Sequence, residues 1–460
     1  MSGTDRAVSE EQPTFGAVVP PNHPPRQNRL RWGTAWERIR LLTDISGLTY
    51  LAAGFLARLP ISMLPLGTLV MVVSWTSDVL LGGFAAGTVA LCIALTVPLY
   101  GLLARSKVLL LCAVCNSLAV LWLISAAITL ADSEQGSPVE LLSACVAVGA
   151  TTAPVAALAR IRWASQARRL SSRSLLNSSL ALESLSDVVG LVLGAAITGI
   201  LSILWHDHSS LLLVVLINLT AVVLFAVLRL KASHTVTGRP LPEKEQDIRA
   251  VRLRLMWLPV AGTGTLGLLL GSMQSSLVSF TVNFDTVGTV GLLYAVLGIS
   301  SLVAAVIITL LRVRTCTWAA WLLWSSLLTL MGLPVSMPNS VPTMAISLVG
   351  EGALVGIALI VTDSVAIGIA PLRMLEVVMT ATIGALMGGM ALGLTWGAYI
   401  GETFGYNAAL MLPLISAAGC MVLAHLYGYG WRQHFEEQAV PHRGAGWVRR
   451  SMRTERIEEA

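Results

Sequence analysis

Twelve apolar runs of 18 or more residues, joined by links that are mostly short and polar, set almost every bound on this chain's fold. About 20 apolar residues cross the hydrocarbon of a bilayer as a helix rising 1.5 Å per residue. The runs lie near residues 50–74, 79–103, 107–131, 140–160, 181–204, 210–229, 255–281, 287–311, 316–336, 342–365, 376–400 and 406–428, and define segments 1 to 12. Composition agrees, because 55% of the 460 residues are hydrophobic and 12% charged, with mean hydropathy +0.75. Soluble chains do not reach such values. The pattern predicts an all-α polytopic membrane protein with twelve transmembrane helices.

The basic residues give the orientation. Of the 30 lysines and arginines, 29 fall in the N-terminal tail, the C-terminal region or alternate links. The opposite links (SWTSD, ADSEQGSPVE, WHDHSS, VNFDT, MPNSV, GETFGYN) hold none. The positive-inside rule then places both termini in the cytoplasm. The net charge of +5 reads as this orientation signal and not as nucleic-acid binding. Residues 1–44 are polar and proline-bearing, with no apolar core of a secretory leader, and read as a disordered cytoplasmic tail. Residues 45–230 and 255–428 read as two six-helix bundles joined by a cytoplasmic loop over 231–254 and followed by a cytoplasmic tail over 429–460. All six cysteines lie within or at the ends of apolar segments, which argues against a disulfide framework, and Cys112 and Cys115 read as packing residues.

If the two sets of six are duplicates, equivalent segments should share their small-residue spacing. Segments 5 and 11 do. Gly190, Gly194 and Gly199 have the same offsets as Gly384, Gly388 and Gly393, and a glutamate (Glu183, Glu376) precedes each set. Glycines at such spacing let membrane helices approach closely.

Six plus six helices, cytoplasmic termini, a basic central loop and repeated halves resemble the major facilitator superfamily across residues 45–430. The stretches FLARLPISMLPLG, APVAALARIRW, LALESLSDVVGLVLG and LRMLEVVMTATIGALMGGMALG look like a group of actinobacterial members described as transporters or efflux permeases. The resemblance implies alternating access, with two bundles rocking around a cavity lined mainly by segments 1, 4, 7 and 10. Two departures stand out. The link between segments 2 and 3 keeps Gly101, Arg105 and Lys107 but lacks the family's acidic residue and second glycine. Gly194 is followed by Ala195, where drug antiporters of the family carry proline.

Arg58 is the thirtieth basic residue and lies inside the apolar run LAAGFLARLPISMLPLGTLVMVVSW. A buried arginine costs ~2.5–3.5 kcal/mol on insertion scales, so it normally faces protein or water. The intramembrane acids are Glu183 and Asp187 in segment 5 and Glu351 and Asp363 in segment 10. Such sets are the usual parts of a proton relay. Depth matching makes Asp187 the partner of Arg58, either as a static pair locking segment 1 to segment 5 or as part of gating. Glu183, one turn nearer the cytoplasm, is expected to solvate Arg162 or Arg173 instead, and Asp363 to sit as a solvated helix-end charge. Glu351, near the midplane in VGEGALVG, is the first choice for a coupling or substrate-contacting carboxylate. Thr151, Thr152 and Gln274 are candidate cavity-lining residues. His206, Asp207 and His208 read as a solvated loop, so no metal or cofactor is expected.

The expectation is a secondary active transporter in a bacterial inner membrane, working as a monomer by proton-coupled export of small organic or amphipathic compounds. The lack of a G-x-x-x-x-G-K-[ST] loop argues against an ATP-driven pump. The alternatives are a transport-dead membrane partner or assembly factor and, behind it, a lipid-carrier-dependent enzyme.

Overall fold

The computed structural model describes residues 47–103, 106–132, 136–156, 158–160, 162–163, 173–232, 254–284, 289–311, 317–370 and 374–433. The expected N-terminal tail, most of the central loop, the C-terminal tail beyond residue 433, and Arg105, Arg168, Arg169, Arg312, Arg314 and Arg373 lie outside these residues. All regular structure among the described residues is helical, and eleven stretches are long and apolar enough to cross a bilayer.

Segment 1 is two helices, α1 (Leu48–Leu56) and α2 (Pro60–Thr76). Pro60 has no N–H to give, and the amides of Arg58 and Leu59 reach back only three residues, to the carbonyls of Phe55 and Leu56 at 3.1 Å each. The Gly54 carbonyl, which an uninterrupted helix would have bonded to the Arg58 amide, accepts instead from the Arg58 guanidinium at 3.0 Å. Segments 2 and 3 are α3 (Val79–Leu103) and α4 (Ser106–Asp132).

Segment 4 departs from expectation. Its helix α5 (Pro138–Ala150) has only 13 residues and stops at Thr151, ten residues before the expected end. The sequence Thr151-Thr152-Ala153-Pro154 explains the stop: both hydroxyls turn back to carbonyls of the preceding turn, Thr151 to Ala147 at 2.7 Å and Thr152 to Val148 at 3.0 Å. Pro154 then disfavours helical geometry at Ala153. Helical geometry resumes at Val155.

Segment 5 is α6 (Arg173–Leu204), which begins eight residues before the expected 181. Segment 6 is α7 (Ser209–Ile217), a π-helical turn (Asn218–Val222) and α8 (Val223–Ala232). Segments 7 to 12 are α9 (Trp257–Asn283), α10 (Val290–Leu310), α11 (Trp318–Ser336), α12 (Val341–Ile369), α13 (Leu375–Phe404) and α14 (Tyr406–Trp431).

The halves meet along two seams, α3 on α13 and α6 on α10. The glycine offsets shared by α6 and α13 serve opposite faces. In α6, Gly190 and Gly194 face the first half at Arg58 and Ser62, and Gly199 faces the second half at Gly291. In α13, Gly384 and Gly388 face the other half at Pro98 and Ala94, while Gly393 faces its own half at the Leu268 carbonyl. A side chain at Gly199 or Gly291 would strike the main chain of the other, so that crossing depends on the missing Cβ.

Candidate functional site

The two helix breaks in the first half face a ladder of buried charges. The Arg58 guanidinium pairs with the Glu183 carboxylate, and its Nε lies 2.7 Å from Asp187 Oδ1. The other oxygen of Asp187 pairs with Arg160, from the helical stretch beyond the segment 4 break. Trp163 Nε1 donates to the second oxygen of Glu183 at 2.7 Å. Arg58, Arg160 and Glu183 are buried, whereas the Asp187 side chain is 18% exposed. Helix geometry accounts for the arrangement: Glu183 and Asp187 are four residues apart on α6 and share a face. Burial of four charges is tolerable only because each has a counter-charge or donor in place.

Arg160 also reaches across the molecule. Its Nη1 donates at 3.1 Å to the main-chain carbonyl of Met379 on α13, in the second half. Asp363 on α12 lies within electrostatic range of Arg160 and Asp187 and has no ion pair among the described residues. The cluster thus joins segments 1, 4 and 5 of one half to α13 of the other, and α12 presents a further carboxylate to it.

Beside the cluster lies a cleft of about 60 Å³ bordered by Arg58, Asp187, Thr152, Pro154, Asn218 and Met387. A polar ladder crosses behind it. Asn218 Nδ2, in the π-helical turn, donates to Asn116 Oδ1 at 2.8 Å, and Asn116 Nδ2 donates to the Val148 carbonyl at 2.7 Å and to Thr151 Oγ1 at 3.1 Å. The ladder fixes segments 3, 4 and 6 where segment 4 breaks. A second cavity of about 30 Å³, bordered by Ser62, Gln274, Tyr294 and Ser301, lies between the halves. A third space of about 190 Å³ lies near the expected outer ends of the same helices, bordered by Ser74, Ser202, Asp207, Val278 and Gly291.

The structure brings Arg58, Asp187 and Glu183 into one cluster. Contrary to expectation, Glu183 does not act as a solvated charge toward Arg162 or Arg173. It is 3% exposed, and the early start of α6 puts it ten residues inside that helix. Arg162 instead stacks its guanidinium over the Tyr50 ring at 3.7 Å. Asp363 is half-buried, with Arg160 and Asp187 within electrostatic range, and is not the fully solvated helix-end charge expected. Glu351 is fully buried, and neither carboxylate oxygen has a hydrogen-bond partner among the described residues. Thr152 borders the cleft, Gln274 borders the second cavity, and Thr151 belongs to the polar ladder. Sequence pattern alone assigns no role to Arg160, Trp163, Asn116 or Asn218. Arg160 had been counted with the cytoplasmic charges, and Pro154 was the signal that could have placed it beyond a break.

No family model and no curated protein matches the sequence. Solved structures do. The crystal structure of the nucleoside transporter NupG aligns with TM-score 0.55 at 15% identity, over 84% of this chain and 99% of that one. The human organic anion transporter MFSD10 (TETRAN) aligns with TM-score 0.55 at 17% identity, over 82% and 98%. A bacterial homologue of the iron transporter ferroportin, in an outward-facing state with soaked iron, gives TM-score 0.57 at 12% identity, over 82% and 98%. These likenesses define the fold: the chain is a multi-pass membrane protein of major facilitator-like architecture.

Proposed function

We propose that the chain is a secondary active transporter working by alternating access, as a monomer in a bacterial inner membrane with both termini cytoplasmic. It exports small organic or amphipathic compounds in exchange for protons, and is neither an enzyme nor a transport-dead partner. The observation that carries this reading is the Arg160 contact: one side chain of a buried charge cluster holds the main chain of the opposite half. Two halves that rock need a contact of this kind, made in one state and broken in the other. It also answers the competing partner reading, because the acidic residue missing from the 2–3 link leaves a cytoplasmic closure that Arg160 supplies from within. The direction of export follows the sequence resemblance to efflux permeases.

Glu351 is the proton carrier in this reading. A buried carboxylate with no donor is costly as an ion, so it holds a proton while enclosed and gives it up when water reaches it. The test is flux of amphipathic compounds in proteoliposomes under an imposed pH gradient. The native protein should respond to the gradient and lose the response with a protonophore. Glu351→Gln should still exchange compound across the membrane while losing its dependence on pH. Absence of proton-dependent flux for every compound tested would favour the partner reading.

A further inference from the structure

The second cavity contains two polar atoms that the protein leaves unmatched. Gln274 Oε1 on α9 and Ser301 Oγ on α10 have no hydrogen-bond partner among the described residues, and their side chains are 6% and 0% exposed. An unmade hydrogen bond of a buried amide or hydroxyl costs about 1–3 kcal/mol. Two of them bordering one cavity mark a place completed by something else. The neighbouring polar groups are already committed, because Tyr294 Oη donates to the Gln274 carbonyl and Ser62 Oγ lies 3.1 Å from the Leu59 carbonyl.

The rest of the wall is apolar and comes from both halves: Leu191 and Val192 on α6, Leu270 and Met273 on α9, Leu297 on α10 and Met390 on α13. Among the described residues, no charged side chain lines it. A charged guest would therefore enter without a counter-charge, at a cost of several kcal/mol. The two methionines are unbranched and repack readily around different shapes.

The 190 Å³ space lies about one to three turns further along the same α2, α6, α9 and α10. Between the two, α6 and α10 close on each other where Gly199 meets Gly291 and where Gly298 meets Ala196 and the Val192 carbonyl. At 30 Å³ the closed cavity holds a water or two, so a larger guest needs the surrounding helices to part, and its way to the outer space runs through this glycine seam.

We propose that this cavity is the binding site for an uncharged, mainly apolar molecule bearing at least one hydrogen-bond donor, which Gln274 Oε1 accepts while Ser301 Oγ meets a second polar group. This rests on the transporter reading and names its substrate class; the five helices that line the cavity are segments 1, 5, 7, 8 and 11, not the 1, 4, 7 and 10 that the family resemblance implies.

The test is scintillation-proximity binding of tritiated N-phenyl-1-naphthylamine, an uncharged apolar amine with one N–H, to the purified full chain. Saturable binding is expected, about tenfold weaker in Gln274→Met and in Ser301→Ala. The N-methylated probe, which lacks the donor, should bind the native protein about as weakly as Gln274→Met binds the parent probe. Tetraphenylphosphonium, a cation, should not compete. Both variants should keep or raise the thermal midpoint, since each removes an unmatched buried polar atom; a merely structural role would lower it. Equal competition by the cation, native-like binding in both variants or absence of saturable binding would overturn the assignment. Proton-driven flux of tetraphenylphosphonium alongside failed binding would remove the substrate class and leave the transporter reading standing, whereas intact binding with no flux of any solute would do the reverse.

Discussion

The two halves place different kinds of polar group in their interiors. In the first half, helices break at residues 57–59 and 151–154, and the breaks sit beside two arginines and two carboxylates joined by three ion pairs. In the second half, α9, α10 and α12 run without interruption, and the buried polar groups Gln274, Ser301 and Glu351 each retain an unmatched atom. Paired charges hold helices in register, while polar groups with an unmatched atom leave a place for a guest or a bound proton. The first arrangement is suited to holding a conformation and the second to binding.

Breaking the matched set should have the largest effect. Arg58→Ala leaves Glu183 with Trp163 alone and strips one partner from Asp187, so stability should fall by about 3–5 kcal/mol, read as the thermal midpoint in detergent. Adding Glu183→Gln should recover part of the loss, and full tolerance of the single change would remove the charge cluster from the account of how this half is held. Next comes the contact between halves. Arg160→Ala removes charge-assisted hydrogen bonds with a net value of about 1.5–3 kcal/mol, and should raise maleimide labelling of a cysteine placed at Ile383, in the cleft wall, at least tenfold. Unchanged labelling would mean that the closure does not depend on Arg160. The smallest effect is expected at the polar ladder, where Asn218→Ala should cost about 1 kcal/mol. A larger loss there would place part of the first half's rigidity in the π-helical turn and not in the charges.

The sequence was most informative where one physical rule acted alone. Apolar length and the one-sided distribution of arginines gave the helical membrane architecture, and Arg58 declared itself as the basic residue outside that distribution. Legibility failed where local and tertiary effects compete. Thr151 and Thr152 look like ordinary span residues, and only with Pro154 do their hydroxyls stop α5. Glu183 was misplaced because the start of α6 was read from hydrophobicity, whereas the polar residues 173–180 continue the helix. The glycine offsets were visible, but the faces they serve depend on helix rotation, which spacing alone does not encode. Arg160 was hidden by its proximity to a cytoplasmic run of arginines, and its partner on α13 is a peptide oxygen that no side-chain pattern announces.

That peptide oxygen has a further consequence. A clasp between two side chains can be deleted by replacing either one, but the acceptor at Met379 is present whatever residue occupies the position. Mutation can abolish this connection from one side only. From the other it responds to the position of α13 itself, so that Arg160 works as a caliper on a neighbouring helix, indifferent to that helix's sequence and sensitive to its displacement.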